Sequence, residues 1–117
     1  MVALRAEDVV VVGVAVDAAP SLGPVLQDHL DSFDELLPHV FFGEVTRWAV
    51  LRYEDALDDR EVASVLDLLE REFASGRATE LIAASFLENL PRNDQSGAGI
   101  RKRLGPQLTR YLTDHLG

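Results

Sequence analysis

Apolar side chains recur at steps of three and four along most of the chain, which is the spacing of one side of an α-helix. The pattern is most regular in the helix that follows Asp58, where one side carries Val62, Val65, Leu66, Leu69 and Phe73. Asp58 and Glu61 have the spacing of a capping box, and Ser75-Gly76 supplies a residue that tolerates the left-handed backbone after a last turn. The pattern therefore predicts a helix bounded at both ends.

A second apolar stripe follows Arg77 and consists of Leu81, Ile82, Ser85, Phe86 and Leu90, with Pro91 directly after it. Proline ends a helix because it lacks the backbone N–H and clashes with the preceding turn. The turn around Gly76 is short, so residues 58–90 are predicted to form two antiparallel helices that pack as an αα-hairpin.

Three further helices are predicted on the same spacing. One runs from Leu22 to about Leu30, one from Pro38 to about Asp55, and a final one from Pro106 to His115. Ser32 and Glu35 repeat the capping-box spacing before the helix at Pro38, and proline is well tolerated in a first helical turn.

The run from Val9 to Val16 is ambiguous, because β-branched residues favour a strand by propensity. No second strand-like segment occurs with which it would pair, and an isolated strand leaves its backbone groups unsatisfied. We interpret the run as a buried helix from Glu7 to Ala18, with the two acids of its first turn complementing the helix dipole. The residues alone leave the strand open.

Together these segments predict an all-α fold, a compact bundle of about five to six short helices. Successive helical hairpins suggest a HEAT-like stack, although no repeated sequence period accompanies it. A length of 117 residues is that of one domain, residues 1–117, and is long enough to bury a core.

Composition limits the chemistry and the location. The chain has no cysteine, which excludes disulfides, thiol nucleophiles and cysteine-ligated zinc. Glu7 and Asp8 precede the apolar N-terminal run where a secretion signal needs positive charge, and the run is too short to cross a bilayer. We therefore expect a cytoplasmic protein that inserts into no membrane.

Charge is unevenly distributed along the chain, whose net charge is −9. Residues 1–90 contain 18 acidic and 6 basic residues, whereas residues 91–117 contain 2 acidic and 5 basic ones. An acidic body repels nucleic acid and attracts basic proteins, although surplus acid also serves solubility alone. The predicted surface for a basic protein partner consists of Asp28, Asp31, Asp34, Glu35, Glu44, Glu54, Asp55, Asp58 and Asp59.

No motif for catalysis, metal binding or a cofactor is recognisable. His29, His39 and His115 lie in separate elements without a ligand at zinc-helix spacing, so no metal site is predicted. Ser85 lies within a helix, where its hydroxyl is expected to bond a backbone carbonyl rather than act as a nucleophile. The cluster at Arg101-Lys102-Arg103 either pairs with the acidic body, which we favour, or holds an anion.

Two stretches, DELLPHVFFGEVTRW at residues 34–48 and LIAASFLENLPR at residues 81–92, resemble a family of short bacterial proteins of unknown function, some of them encoded near toxin genes. The resemblance covers about Pro20 to Leu116 and is most specific at Pro38, His39, Phe41, Trp48, Ser85, Phe86, Leu87 and Glu88. It implies an all-helical fold and contributes no catalytic residue. The chain is also similar in character to the immunity proteins of bacterial toxin systems, which are small and acidic and neutralise toxins by electrostatic docking.

The leading functional hypothesis is accordingly a protein-binding module, an immunity protein that docks its acidic surface on a toxin. One alternative is a small-molecule-binding or enzymatic domain in which Phe41, Phe42, Trp48 and Phe86 surround His39, although aromatic stripes at helical spacing usually fill cores. Another is an adaptor that self-associates through exposed helix faces.

Overall fold

Every regular element in the described residues, 4–56 and 58–116, of this computed structural model is helical, and the prediction of an all-α fold is confirmed. The first four helices are α1 (Ala6–Ala18), α2 (Leu22–Phe33), α3 (Pro38–Asp55) and α4 (Arg60–Ala74). The second helix therefore extends three residues beyond the predicted Leu30. Stacking of successive hairpins in the HEAT manner is not confirmed.

The C-terminal half contains shorter and less regular helices. α5 (Thr79–Leu81) continues into a π-helical turn (Ile82–Phe86) and a 3₁₀ turn (Leu87–Asn89), and residues 79–89 are called the α5 segment below. A 3₁₀ helix (Ala98–Arg103) precedes α6 (Pro106–Tyr111), which continues into a π-helical turn (Leu112–Leu116).

The valine-rich run at residues 9–16 is helical, as interpreted from the absence of a strand partner, and lies within α1. The buried residues of α1 are Asp8, Val11, Val12 and Ala15, which recur at steps of three and four. Val10 points outward and is 59% exposed. Tertiary packing of one side has thus overridden the β propensity of the valines.

The core gathers around the inner side of α3, where Phe41, Phe42, Val45 and Ala49 are fully buried. The α5 segment packs most closely against this helix, and Phe86 contributes a further buried ring. The Cα radius of gyration is 13.4 Å, the value expected for a compact chain of about this length. No helix in the described part of the chain is both long and apolar enough to span a membrane.

The predicted pairing of α4 with the helix that follows it is wrong. α4 packs mainly on α1 and α6, while the α5 segment packs mainly on α3. The connection explains the difference, because Gly76 (φ 78°) and Ala78 (φ 51°) both adopt left-handed backbone and turn the chain away from α4. Two helices that are joined by a short loop therefore pack mainly on other helices here.

Two helix starts differ from the predicted capping boxes. The N-cap of α4 is Asp59 rather than Asp58, and its carboxylate accepts a hydrogen bond from Val62 N at 3.0 Å. Glu61 does not complete a capping box, because its carboxylate accepts from the Ser21 backbone N–H and hydroxyl, both at 3.0 Å, before α2. Ser32 belongs to α2, and α3 starts at Pro38 without any side-chain cap.

α4 also supplies the cap of α6. The Glu70 carboxylate accepts hydrogen bonds from Gln107 N and Leu108 N at 3.0–3.1 Å. A Cβ atom at position 105 would lie 2.5–2.6 Å from the Glu70 side chain, so glycine is required there for the carboxylate to reach α6. Glu61 and Glu70 thus tie α4 to two helices that are remote in sequence.

We expect Asp59→Ala to lower the free energy of unfolding by about 1 kcal/mol, because the first turn of α4 loses its cap. The Val62 N–H, and secondarily Arg52, lower the pKa of Asp59 from its usual 3.8 in the folded state. The stabilisation is therefore fully present above pH ~4 and disappears as the pH falls through the folded pKa. Urea denaturation of both proteins between pH 7 and pH 2 measures this.

Asp58→Ala is the matched control, because Asp58 is exposed and lies just outside the cap. Its effect should stay within about 0.5 kcal/mol at neutral pH. Equal losses in the two variants would contradict the assignment of Asp59 as the N-cap.

Candidate protein-binding surface

A buried histidine holds one of the predicted surface acids. The side chain of His29 is fully buried, its Nε2 accepts a hydrogen bond from Leu37 N at 3.0 Å, and its Nδ1 lies 3.0 Å from Glu44 Oε1. Because Nε2 is an acceptor, the proton of the neutral ring is on Nδ1 and is donated to Glu44. Glu44 is thus oriented from inside the protein, with 28% of its side chain exposed.

The carboxylates of three other predicted acids accept hydrogen bonds from side chains of the protein. Asp59 accepts from Arg52 Nε at 3.0 Å in addition to capping α4. Glu54 accepts from the Ser96 hydroxyl at 2.8 Å, and Asp31 accepts from Gln27 Nε2 at 3.0 Å. These carboxylates contribute negative charge to the surface, and part of their hydrogen-bonding capacity is already used.

The remaining five predicted acids are exposed, and their carboxylates make no hydrogen bond or ion pair within residues 4–56 and 58–116. They are Asp28, Asp34, Glu35, Asp55 and Asp58. Leu57, which interrupts the acidic run at residues 54–59, lies outside the described residues. These acids retain their full capacity to meet a cationic partner.

The outer side of α3 combines exposed apolar residues with charge. Steps of three and four place Val40, Glu44, Arg47, Leu51 and Asp55 on this side. Val40 is 41% exposed and Leu51 is 61% exposed. We call these five residues, together with Asp28 and Trp48, the α3 face.

Two shallow clefts flank the α3 face. Glu44, Arg47 and Leu51 line both clefts and thus form the ridge between them. The larger cleft, of about 430 Å³, is completed by Val40, Gly43, Thr46, Val50, Asn89 and Pro91. The other, of about 270 Å³, is completed by Val25, Asp28 and Trp48.

The aromatic residues do not form the predicted pocket around His39. Phe41, Phe42 and Phe86 are fully buried and fill the core, and the histidine in ring contact with Phe41 is His29, at 5.7 Å between centroids. The cleft of about 430 Å³ includes Glu44 but not His39. Trp48 is half-buried, and the Arg52 guanidinium lies 5.3 Å from its ring centroid, in a cation–π contact.

The structure joins two of the motif residues instead. Ser85 Oγ lies 2.6 Å from His39 Nδ1, and this is its only hydrogen bond within the described chain. The expected bond from Ser85 to a backbone carbonyl is therefore absent, unlike that of Thr46, whose hydroxyl donates to Phe42 O at 2.8 Å. The hydrogen bond between Ser85 Oγ and His39 Nδ1, whose direction depends on the protonation of the His39 ring, fastens the start of α3 to the α5 segment.

A serine hydrogen-bonded to a histidine resembles the pair of nucleophile and base that nucleophilic catalysis requires. Acyl transfer also needs free donors for the developing oxyanion and room for a substrate. Ser85 is 5% exposed and lies inside the π-helical turn, and the neighbouring Leu87 N–H already bonds the carbonyls of Ile82 and Ala83. The contacts therefore describe a cross-link between two helices.

Asp8 is a further polar group near this cross-link. It lies in the first turn of α1 and is 6% exposed. Burial raises the pKa of Asp8, and the nearby His39 partly opposes the rise. The sequence shows Asp8 directly before the apolar run of α1. Its burial could not be predicted, because it depends on how α1 packs against α3.

The other motif residues divide between core and surface. Pro38 is buried at the first position of α3, and Glu88 is exposed at the end of the α5 segment. In the described part of the chain, no three histidine or carboxylate side chains form a group suited to a metal ion.

Comparison with known proteins gives one match. The model of the family described as "Domain of unknown function (DUF7674)" matches residues 14–116. No curated protein and no solved structure matches the chain.

We expect the hydrogen bond between His39 and Ser85 to contribute a coupling of about 0.5–1.5 kcal/mol to stability. The measurement is a double-mutant cycle by urea denaturation with Ser85→Ala, His39→Gln and the double variant. Ser32→Ala, at an exposed serine, is the control and should change stability by less than about 0.5 kcal/mol. Strictly additive single effects would show that the bond does not stabilise the fold.

Asp8→Asn is expected to stabilise the protein at neutral pH, because the folded state no longer buries a carboxylate. A raised pKa in the folded state means that ionised Asp8 opposes folding above that pKa, and that this cost vanishes as the pH falls and Asp8 is protonated. The gain should therefore shrink between pH 7 and pH 3. The exposed Asp67→Asn is the control, and destabilisation by Asp8→Asn at pH 7 would contradict the argument.

Proposed function

This chain belongs to the DUF7674 family, and we propose that it is a protein-binding module that neutralises a cognate bacterial toxin by docking the acidic α3 face on it. The observation that carries the proposal is the exposure of Val40 and Leu51 beside Asp28, Glu44 and Asp55. An apolar centre with a charged rim is the usual composition of a protein interface.

The charges around the α3 face favour a basic partner. Arg47 is the only basic residue among the seven that define the face, against three acids. The net charge of −9 adds a long-range field of the same sign. Complementary charge accelerates association and disfavours acidic partners, including nucleic acid.

The inner contacts of α3 support the proposal because they make the face rigid. Four fully buried residues anchor the helix, and the bond from His29 fixes Glu44 on the ridge between the two clefts. A partner would therefore meet a preorganised surface and pay little entropy for ordering it. The proposed role needs no cofactor. It is compatible with the cytoplasmic location that we expect because Glu7 and Asp8 precede the apolar N-terminal run.

The test is co-expression with the product of the neighbouring gene, scored by rescue of growth and by isolation of a stable complex. Leu51→Asp should abolish rescue, because it places a charge at the centre of the interface. Asp28→Lys and Asp55→Lys should each lower the association rate by about tenfold at low salt, and by less at high salt.

The matched control is Asp67→Lys, which makes the same charge change on the exposed side of α4. It should leave rescue intact, and circular dichroism should show that all variants are folded. A neighbouring product that is not toxic and forms no complex would refute the proposal. An effect of Asp67→Lys equal to that of Asp28→Lys would refute the assignment to the α3 face.

A further inference from the structure

A second polar surface lies in the basic C-terminal part of the chain. A small cleft of about 210 Å³ is lined by Asn93, Arg101, Thr109, Leu112 and Thr113. It adjoins a larger cleft of about 470 Å³, because Arg101 lines both. The loop after Pro91, the 3₁₀ helix and α6 with its final turn bring these residues together.

Every polar side chain of the small cleft is able to donate a hydrogen bond, and none is a carboxylate. This composition is unusual for the protein, whose acidic residues outnumber its basic ones by 20 to 11. A guanidinium, an amide and two hydroxyls around one space form a set of donors suited to an oxyanion.

Arg101 is held in position for such a role. Its Nε donates to Pro91 O at 2.7 Å, and the side chain is half-buried. The pairing with the acidic body that the sequence favoured is not found for Arg101 or Lys102 within the described residues. No carboxylate of residues 4–56 and 58–116 therefore engages the remaining N–H groups of Arg101, and arginine binds phosphate through parallel hydrogen bonds.

The two threonines are arranged to respond to a ligand. Thr109 Oγ1 lies 3.4 Å from Leu104 O, which is long for a hydroxyl donor, so little is lost when this hydroxyl turns toward the cleft. Thr113 is exposed and its Oγ1 donates to Thr109 O at 3.1 Å, so it donates to an anion when its hydroxyl turns away from that carbonyl. Asn93 is exposed on the opposite, loop side.

Size and charge indicate which part of a ligand enters which cleft. A space of about 210 Å³ is smaller than the usual pocket for a whole small molecule, of roughly 300–1,000 Å³, and suits a single anionic group. The larger cleft has charges of both signs in its lining, Glu88 together with Arg92 and the shared Arg101. Leu87, Leu90 and Leu116 supply its apolar surface, which suits the uncharged part of the same molecule.

We propose that Arg101, Asn93, Thr109 and Thr113 form a binding site for the phosphoryl group of a small molecule, whose apolar or neutral part extends into the larger cleft. None of these four residues belongs to the α3 face, and the proposal does not rest on the neutralisation of a toxin.

The experiment is titration of the full chain with inorganic phosphate and with phenyl phosphate, by calorimetry and by the shift of the melting temperature. Sodium chloride at equal ionic strength is the reference for general screening. Saturable binding of one phosphate per chain is expected, with tighter binding of phenyl phosphate because its ring occupies the larger cleft. Arg101→Gln should weaken binding by about tenfold or more, as expected for loss of a charge-assisted pair.

Lys102→Gln is the matched control, because it removes the same charge from the adjacent exposed residue. It should change affinity by less than about twofold, as a screened surface charge does. Thr113→Val keeps the shape of the side chain but removes its hydroxyl, and it should also weaken phosphate binding. If Arg101→Gln is unfolded, Thr113→Val tests the proposal in its place. No response beyond that to chloride, or equal losses in Arg101→Gln and Lys102→Gln, would overturn the proposal.

Discussion

Burial of one side of α3 is the constraint on which the rest of the structure depends. Phe41, Phe42, Val45 and Ala49 are withdrawn completely from solvent, and a buried phenylalanine alone stabilises a fold by about 2–3 kcal/mol. This side must be covered, and α1, α2, α4 and the α5 segment all contact it. Polar groups at the margins are then buried as well, and each unpaired one would cost about 1–3 kcal/mol.

At the edges of the buried side of α3, the polar side chains are paired by specific hydrogen bonds. His29 is satisfied on both ring nitrogens, Thr46 donates to the carbonyl of the preceding turn, and Ser85 is hydrogen-bonded to His39. No buried side-chain nitrogen or oxygen in the described residues lacks a partner. These bonds fix the rotation of α3, and with it the residues that the helix presents to solvent.

The same rotation connects packing to function. Because the inner side is occupied by phenyl rings, Val40, Arg47 and Leu51 have no place in the core and remain on the surface. Glu44 lies at the boundary, where an inner histidine orients it toward the ridge between the two clefts. Positive charge is concentrated in the C-terminal part, so the molecule presents an acidic face on α3 and a donor-rich cleft around Arg101 that shares no residue with it.

The sequence by itself determined the helical fold class, the positions of the long helices and the uneven charge, because helical periodicity and composition are local properties. α3 begins and ends where its pattern predicted, at Pro38 and Asp55. For α1 the sequence favoured a helix because it contains no strand partner, but it left a strand open, and packing of one side of the helix decided the matter.

Helix pairing and the partners of individual side chains were decided only by the tertiary structure. Gly76 marked a turn, but the direction of the chain after it depends also on the left-handed backbone at Ala78, which no residue preference indicates. Glu61 was predicted to complete the capping box of α4, yet it accepts hydrogen bonds from Ser21 at the start of α2. Glu70 caps α6, and the Ser85 hydroxyl is bonded to His39 rather than to a carbonyl of its own helix. Contacts between residues about 40 positions apart depend on how the helices pack, and hydrophobic periodicity specifies which side of a helix is buried but not which helix covers it.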